Sequence, residues 1–155
     1  MVGCLVAKAE GLSDMDGVDL LAAGDELKAL IQPLVGQDLR EVLIATDMAE
    51  VKNISQVAPA VAIIYQGDRV DSSSQSGLVS SVVQSWLVLL VHRFTPGQAR
   101  AGVMLGRVLS ACAGKPFSNS TFKRVSPGVR PSYAAGVSYL PLAFEITIKF
   151  KGVRS

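Results

Sequence analysis

One histidine, two cysteines and a small group of aspartates are the residues of this chain whose types could do chemistry. His92 is the sole histidine among 155 residues, so a multi-histidine metal cluster is impossible and a Ser-His-Asp triad would depend on it alone. It stands beside Arg93 at the end of an apolar segment, which favours a structural or solvent-exposed ring over a catalytic one. Cys4 and Cys112 form no Cys-x-x-Cys pair, and a thiol–imidazole pair would need one of them to meet His92 in space. Reduced, structural thiols are the expectation. Asp14, Asp16 and Asp19 lack the glycine and closing glutamate of a calcium loop and read as solvated carboxylates at a helix start. Gly102-Val-Met-Leu-Gly106 lacks the Lys-Ser/Thr ending of a phosphate loop; inside a predicted helix it reads as a site of close helix packing. No catalytic residue, cofactor or metal is expected.

The best polar constellation is Lys123-Arg124 together with Arg130 and Tyr133. Arginine and tyrosine both make large amphipathic contacts and are enriched at protein interfaces. An interface and an ordinary solvated loop both fit this pattern. Aromatic residues make up only 6% of the chain, few for a surface that stacks nucleic-acid bases between its cations.

The elements that must position these residues follow from hydrophobic spacing. Residues 1–17 end in a turn-rich Gly-Leu-Ser-Asp-Met-Asp-Gly and read as an N-terminal arm or short element, with an α+β domain over 18–155. Leu20, Leu27, Leu30, Ile31 and Leu34 recur at helical spacing between Val18 and Leu34, where Pro33 and Gly36 end the helix. Leu39 to Ala45 suits a strand, and Asp47 is placed to cap a brief helical turn through about Lys52. Ala58 to Tyr65 reads as a central strand covered on both faces and ended by Gln66-Gly-Asp. Asp71 to Gly77 reads as a mobile polar loop. Val79 to Phe94 fits a strand or hairpin arm, with a buried helix as the alternative, and Pro96-Gly97 is placed to open a helix whose apolar face carries Ala101, Met104, Leu105, Val108, Leu109 and Cys112. Phe117 to Tyr133 reads as irregular. From Tyr139 to Phe150, apolar and other residues alternate, the period of a long half-buried strand. The order helix, strand, strand, strand, helix, strand predicts an α+β fold: a mixed or antiparallel sheet with helices packed on one side.

Composition bounds the function. Apolar residues reach 49%, charged residues only 18%, and mean hydropathy is +0.37. Apolar runs such as Trp86 to Val91 fall far short of the roughly 20 residues needed to cross a bilayer. The first ten residues have no basic leader and read as a poor signal peptide. A subunit that hides surface in an assembly is the better account of such apolarity. The net charge of +2 does not by itself indicate nucleic-acid binding, but its distribution is polarised: from Ser72 onward Glu145 is the sole carboxylate side chain. Acidic and basic residues either form separate surfaces, suited to head-to-tail stacking, or mix on folding.

The segments Ala58-Pro-Ala-Val-Ala-Ile-Ile and Trp86-Leu-Val-Leu-Leu-Val, a helix bearing Gly102 to Leu109, and Arg124-Val resemble the Mu-like phage tail terminator family. So does Arg130-Pro-Ser-Tyr-Ala-Ala-Gly-Val-Ser-Tyr-Leu-Pro-Leu-Ala-Phe-Glu145, the most specific of the matching stretches. The likeness covers roughly Val18 to Phe150; the seventeen N-terminal residues and the serines at 72–76 depart from it. The resemblance implies a non-enzymatic virion protein, assembled in the host cytoplasm, that forms a homo-oligomeric ring, usually a hexamer. Its partners would be the tail tube protein, the head–tail connector and, in a contractile tail, the sheath, with a passing contact to DNA in the lumen and no membrane. Under that resemblance Arg69, Arg124, Arg130 and Tyr133 are the candidate interface residues. Another neck ring protein, the tube protein, and more remotely a small enzyme or ligand-binding domain are the alternatives.

Overall fold

The computed structural model describes residues 19–46 and 48–151. In chain order its elements are α1 (Ala22–Ile31), β1 (Glu41–Ala45), α2 (Met48–Ile54), β2 (Ala60–Ser73), β3 (Val79–Arg93) and α3 (Ala101–Cys112). Then come β4 (Pro116–Phe117), β5 (Ser120–Thr121), β6 (Lys123–Val125), β7 (Ser132–Ala134) and β8 (Val137–Lys151). The main sheet runs β1-β2-β3-β8-β6, with β7 also on β8. β1 is parallel to β2 and the other pairings are antiparallel. This is the expected α+β architecture with a mixed sheet. The N-terminal arm over 1–17 and the capping role of Asp47 lie outside the described residues.

The alternation of side chains along each strand divides the core in two. Val61 and Ile63 of β2, Trp86, Val88 and Leu90 of β3, and Leu142, Phe144 and Ile146 of β8 share one cluster with Ala23, Leu27 and Ile31 of α1 and Met104, Val108 and Cys112 of α3. The intervening Ala60, Ala62, Leu89 and Val91 form the second cluster, with Val51 and Ile54 of α2. Both long helices therefore pack on one side of the sheet, as expected, while the short α2 covers part of the other. Thr46 caps the approach to α2: its hydroxyl donates to Glu50 Oε1 at 2.6 Å, and Glu50 Oε2 accepts its backbone N–H at 3.1 Å.

Several boundaries differ from the sequence reading. β2 does not stop at Gln66-Gly-Asp but continues to Ser73, absorbing two register shifts, between Tyr65 and Gly67 and between Val70 and Ser72. The first bulge uses Gly67, whose φ of +107° suits glycine. The polar segment Asp71–Gly77 is thus half strand and half hairpin turn, closed where Ser74 Oγ accepts the N–H of Val79 at 3.1 Å. Hydrophilic composition marked it as a loop, but β3 supplies the partner that makes it a strand. Pro96-Gly97 lies in a turn, and α3 begins only at Ala101. Gly102 and Gly106 do not serve close packing: a Cβ at either would meet nothing within 4 Å. The stretch called irregular, Phe117 to Tyr133, holds the β4–β5 hairpin, β6 and part of β7. Phe122, fully buried and 6.0 Å from the ring of Phe117, anchors this region to the core.

Close packing joins α1 to the sheet at Gly24. A Cβ on Gly24 would lie 2.6 Å from Cη2 and Cζ3 of Trp86, so the helix can seat against that ring only because residue 24 has no side chain. Trp86 donates its Nε1–H to Gln84 Oε1 at 3.1 Å, and Gln84 Nε2 donates to the carbonyl of Leu20. The fully buried amide of Gln84 is thereby bonded through both its ends, which offsets the penalty of burying it. Tyr65 stacks at a tilt on Trp86, 5.0 Å between centroids. Gly24→Ala gains about 1 kcal/mol of helix propensity but forces the indole to move. We expect a net loss of about 1–2 kcal/mol, read as a lower urea midpoint at unchanged slope.

Candidate assembly interface

β8 serves as a ruler for the four candidate residues. Arg69, on β2, is two strands away from Thr147, with Val83 of β3 between them. Its guanidinium reaches over β3 to Glu145: Nη1 donates to Oε2 at 2.9 Å and Nη2 to Oε1 at 3.4 Å. The row beneath this bridge is Gly67–Ser85–Glu145, whose two small members leave the path open. The hydrogen bond to Glu145, and then its charge, push the Arg69 pKa above its ordinary value, so the guanidinium stays charged. The side chain remains 61% exposed, which makes the pair a device for orientation more than for stability. Lys123 of β6 faces Glu145 from the other side in register. Arg69, Lys123 and Glu145, with residues of the β4–β5 hairpin, line an open depression of 640 Å³.

The remaining candidates lie elsewhere. Arg124 is exposed on β6 opposite Phe144. Tyr133 is 71% exposed on β7 opposite Ser138, with Arg130 exposed just before that strand. Ser138 and Glu145 are seven positions apart on β8, roughly 24 Å at strand rise. The four residues therefore form no single patch: Arg124 stands on the edge strand next to the Arg69–Glu145 pair, and Arg130 and Tyr133 mark the far end of β8.

The chemically capable residues are built into the fold. His92 is 5% exposed, and its Nε2 lies 3.2 Å from the carbonyl oxygen of Ala99, tying β3 to the turn before α3. Burial pushes the Cys112 thiol up to about 12, with Lys115 opposing only weakly, so it is neutral at ordinary pH and a poor nucleophile. Asp19 Oδ1 accepts the N–H of Leu21 at 2.9 Å, the helix-start role expected of it; Asp14 and Asp16 lie outside the described residues. Among the described residues no three His, Cys, Asp or Glu side chains gather as a metal site, and no helix is long and apolar enough to cross a membrane.

The family model of the phage tail terminator protein matches residues 19–154, which take in every element of this fold. The chain belongs to the phage tail terminator family. Among curated proteins none matches it. Terminators are structural proteins of the phage tail, so this one works in the virion among other tail components, in keeping with a non-enzymatic role.

What sequence reasoning missed in this terminator is the exposed backbone. β1 pairs with β2 only as far as Ile64, and β6 with β8 only at residues 143–145. Beyond these points the β2–β3 hairpin and the end of β8 project as a three-stranded arm. Asp68 to Ser73 are all exposed, and Val70 is 65% exposed. The signal was present in the unusual length of the Val79–Phe94 segment, which demanded equally long neighbours.

Two expectations test this description. Alanine at Arg124, Arg130 or Tyr133 leaves the urea midpoint within error of the parent, because each side chain is exposed; a large drop would mean a structural role within the subunit. The Cys112 thiol titrates higher folded than unfolded, since its ordinary value is 9.0 and the folded value about 12. Its contribution is complete below pH 9 and is lost as pH rises from 9 through 12. Urea titrations at pH 8 to 10.5 should show the parent losing stability faster than Cys112→Ala.

Proposed function

We propose that this terminator forms a ring, hexameric as in the Mu-like members it resembles, that seats on the last ring of the tail tube and stops its growth. Its opposite surface then meets the head–tail connector, and in a contractile tail its rim meets the sheath. The family match over residues 19–154 carries the reading. The fold supports it in three ways. Half of the chain is apolar, yet the arm leaves Val70 and Val79 in solvent, as suits a subunit completed by neighbours. Tyr133 and Arg130 lie at one end of β8, and Arg69 with Glu145 toward the other, a separation that would suit two axial partners. The exposed cations Lys123, Arg124 and Arg130 suit a passing contact with DNA in the lumen, of the kind that falls steeply with salt.

Mass photometry of the protein with purified tail tubes, followed by negative-stain microscopy, tests the reading. The expected result is a species of about six times the 16.3 kDa subunit and a cap at one end of each tube. A chain that stays monomeric in the presence of tubes and never caps one overturns it. Arg130→Glu and Tyr133→Ala should each weaken capping by about tenfold or more while leaving the monomer folded.

A further inference from the structure

The arm has two open edges. On one side the outer edge of β2 over Gln66–Ser73 has no strand partner among the described residues, because the pairing with β1 ends at Ile64. On the other, β6 ends its pairing at Glu145, and Ser120 Oγ accepts the N–H of Thr147 at 3.4 Å; past that point the outer side of Ile148–Lys151 of β8 has no strand partner among the described residues. The Thr147 contact also reveals which backbone groups point outward. Antiparallel pairs alternate between bonded and non-bonded, so an outward Thr147 turns Val83 toward Arg69, and leaves Asp68 and Val70 with their N–H and C=O directed to the open edge.

The two edges differ in charge. β2 carries Asp68 and Asp71, and its one cation, Arg69, is paired with Glu145. The same ion pair occupies the carboxylate of β8, leaving that edge to Lys149 and Lys151. Lysines on an edge strand commonly serve to block pairing. Here they block only like edges: two β8 edges repel, two β2 edges repel, and β2 attracts β8. Since both strands are antiparallel to β3, they are parallel to each other. A neighbour related by rotation about an axis along the strands would therefore continue the sheet, β8 of one copy beside β2 of the next.

We propose that the acidic β2 edge at Asp68–Ser73 pairs with the basic β8 edge at Ile148–Lys151 of a second copy of this chain. The contact joins different surfaces of two identical subunits, so repeated rotation closes it into a ring with neither arm edge left open. It rests on the ring reading above and identifies the seam between subunits.

The test uses two full-length variants, Asp68→Lys/Asp71→Lys and Lys149→Glu/Lys151→Glu, with mass photometry in the presence of tail tubes. In each variant both edges carry the same sign, so each alone should lose oligomers by about tenfold or more. Mixed at equal amounts they should recover, because alternating subunits bring opposite edges together in a ring of even number. Val70→Pro removes an outward N–H without touching a bond to β3, and should abolish oligomers while the urea midpoint stays near that of the parent. If the parent forms rings but the charge variants assemble equally well alone, or fail to recover on mixing, the seam is overturned and the ring stands. If the parent itself forms no oligomer with tubes, the ring reading falls and the seam with it.

Discussion

β3 is paired with β8 along its whole length and with β2 from Ser80 to Val91, and this is the constraint on which the rest of the molecule depends. Val79 to Arg93 pair with β8 without interruption, and Ala60 to Ser73 of β2 follow the opposite edge with two bulges. A strand so placed has both its faces committed as well. One face must accept α1 and α3, and the other, near its end, must accept α2. Trp86 and Gln84 show how closely this is specified: the indole sets where α1 can approach, and the amide holds the carbonyl that precedes that helix. Slippage by one residue would carry Trp86 to the opposite face and leave Gly24 facing a void.

Much of this was legible in the amino-acid sequence. The alternation from Tyr139 to Phe150 is a direct print of the pleat, and the periodicity of Met104, Val108 and Cys112 is that of a helix with one buried face. The segment Ala60–Ile63 was legible as a doubly covered strand because nothing polar interrupts it. Other features depend on partners distant in the chain. Asp71, Ser72 and Ser73 have no strand propensity of their own; they are extended because the other arm of their hairpin is. The short strands between Pro116 and Ala134 likewise exist only as additions to an edge that β8 provides, apart from the β4–β5 hairpin. Gly24 lowers helix propensity by its type, and its use is visible only beside Trp86.

For the interface, residue type was a partial guide. Arg69, Arg124, Arg130 and Tyr133 are all exposed, as interface residues must be before assembly, but they are spread along β8 and its neighbours. Their types said nothing about the open backbone edges, which have no signature in side-chain chemistry. The two described residues with most chemical potential are tied into the fold. His92 bonds a backbone carbonyl and Cys112 is held neutral, so both act as parts of the scaffold.

The ladder between β3 and β8 also bears on how the chain reaches this state. Its rungs join Arg93 to Val137 and Val79 to Lys151, and α3 and the short strands must be accommodated in between. Residues roughly 40 to 70 positions apart must meet before the pairing returns any free energy, the regime in which topology limits folding to milliseconds or seconds. During that interval the apolar run of β3 from Trp86 to Val91 waits with an unpaired flank. The strand that organises the finished subunit is therefore its most exposed liability on the way there, and rapid docking of β8 is what separates folding from self-association.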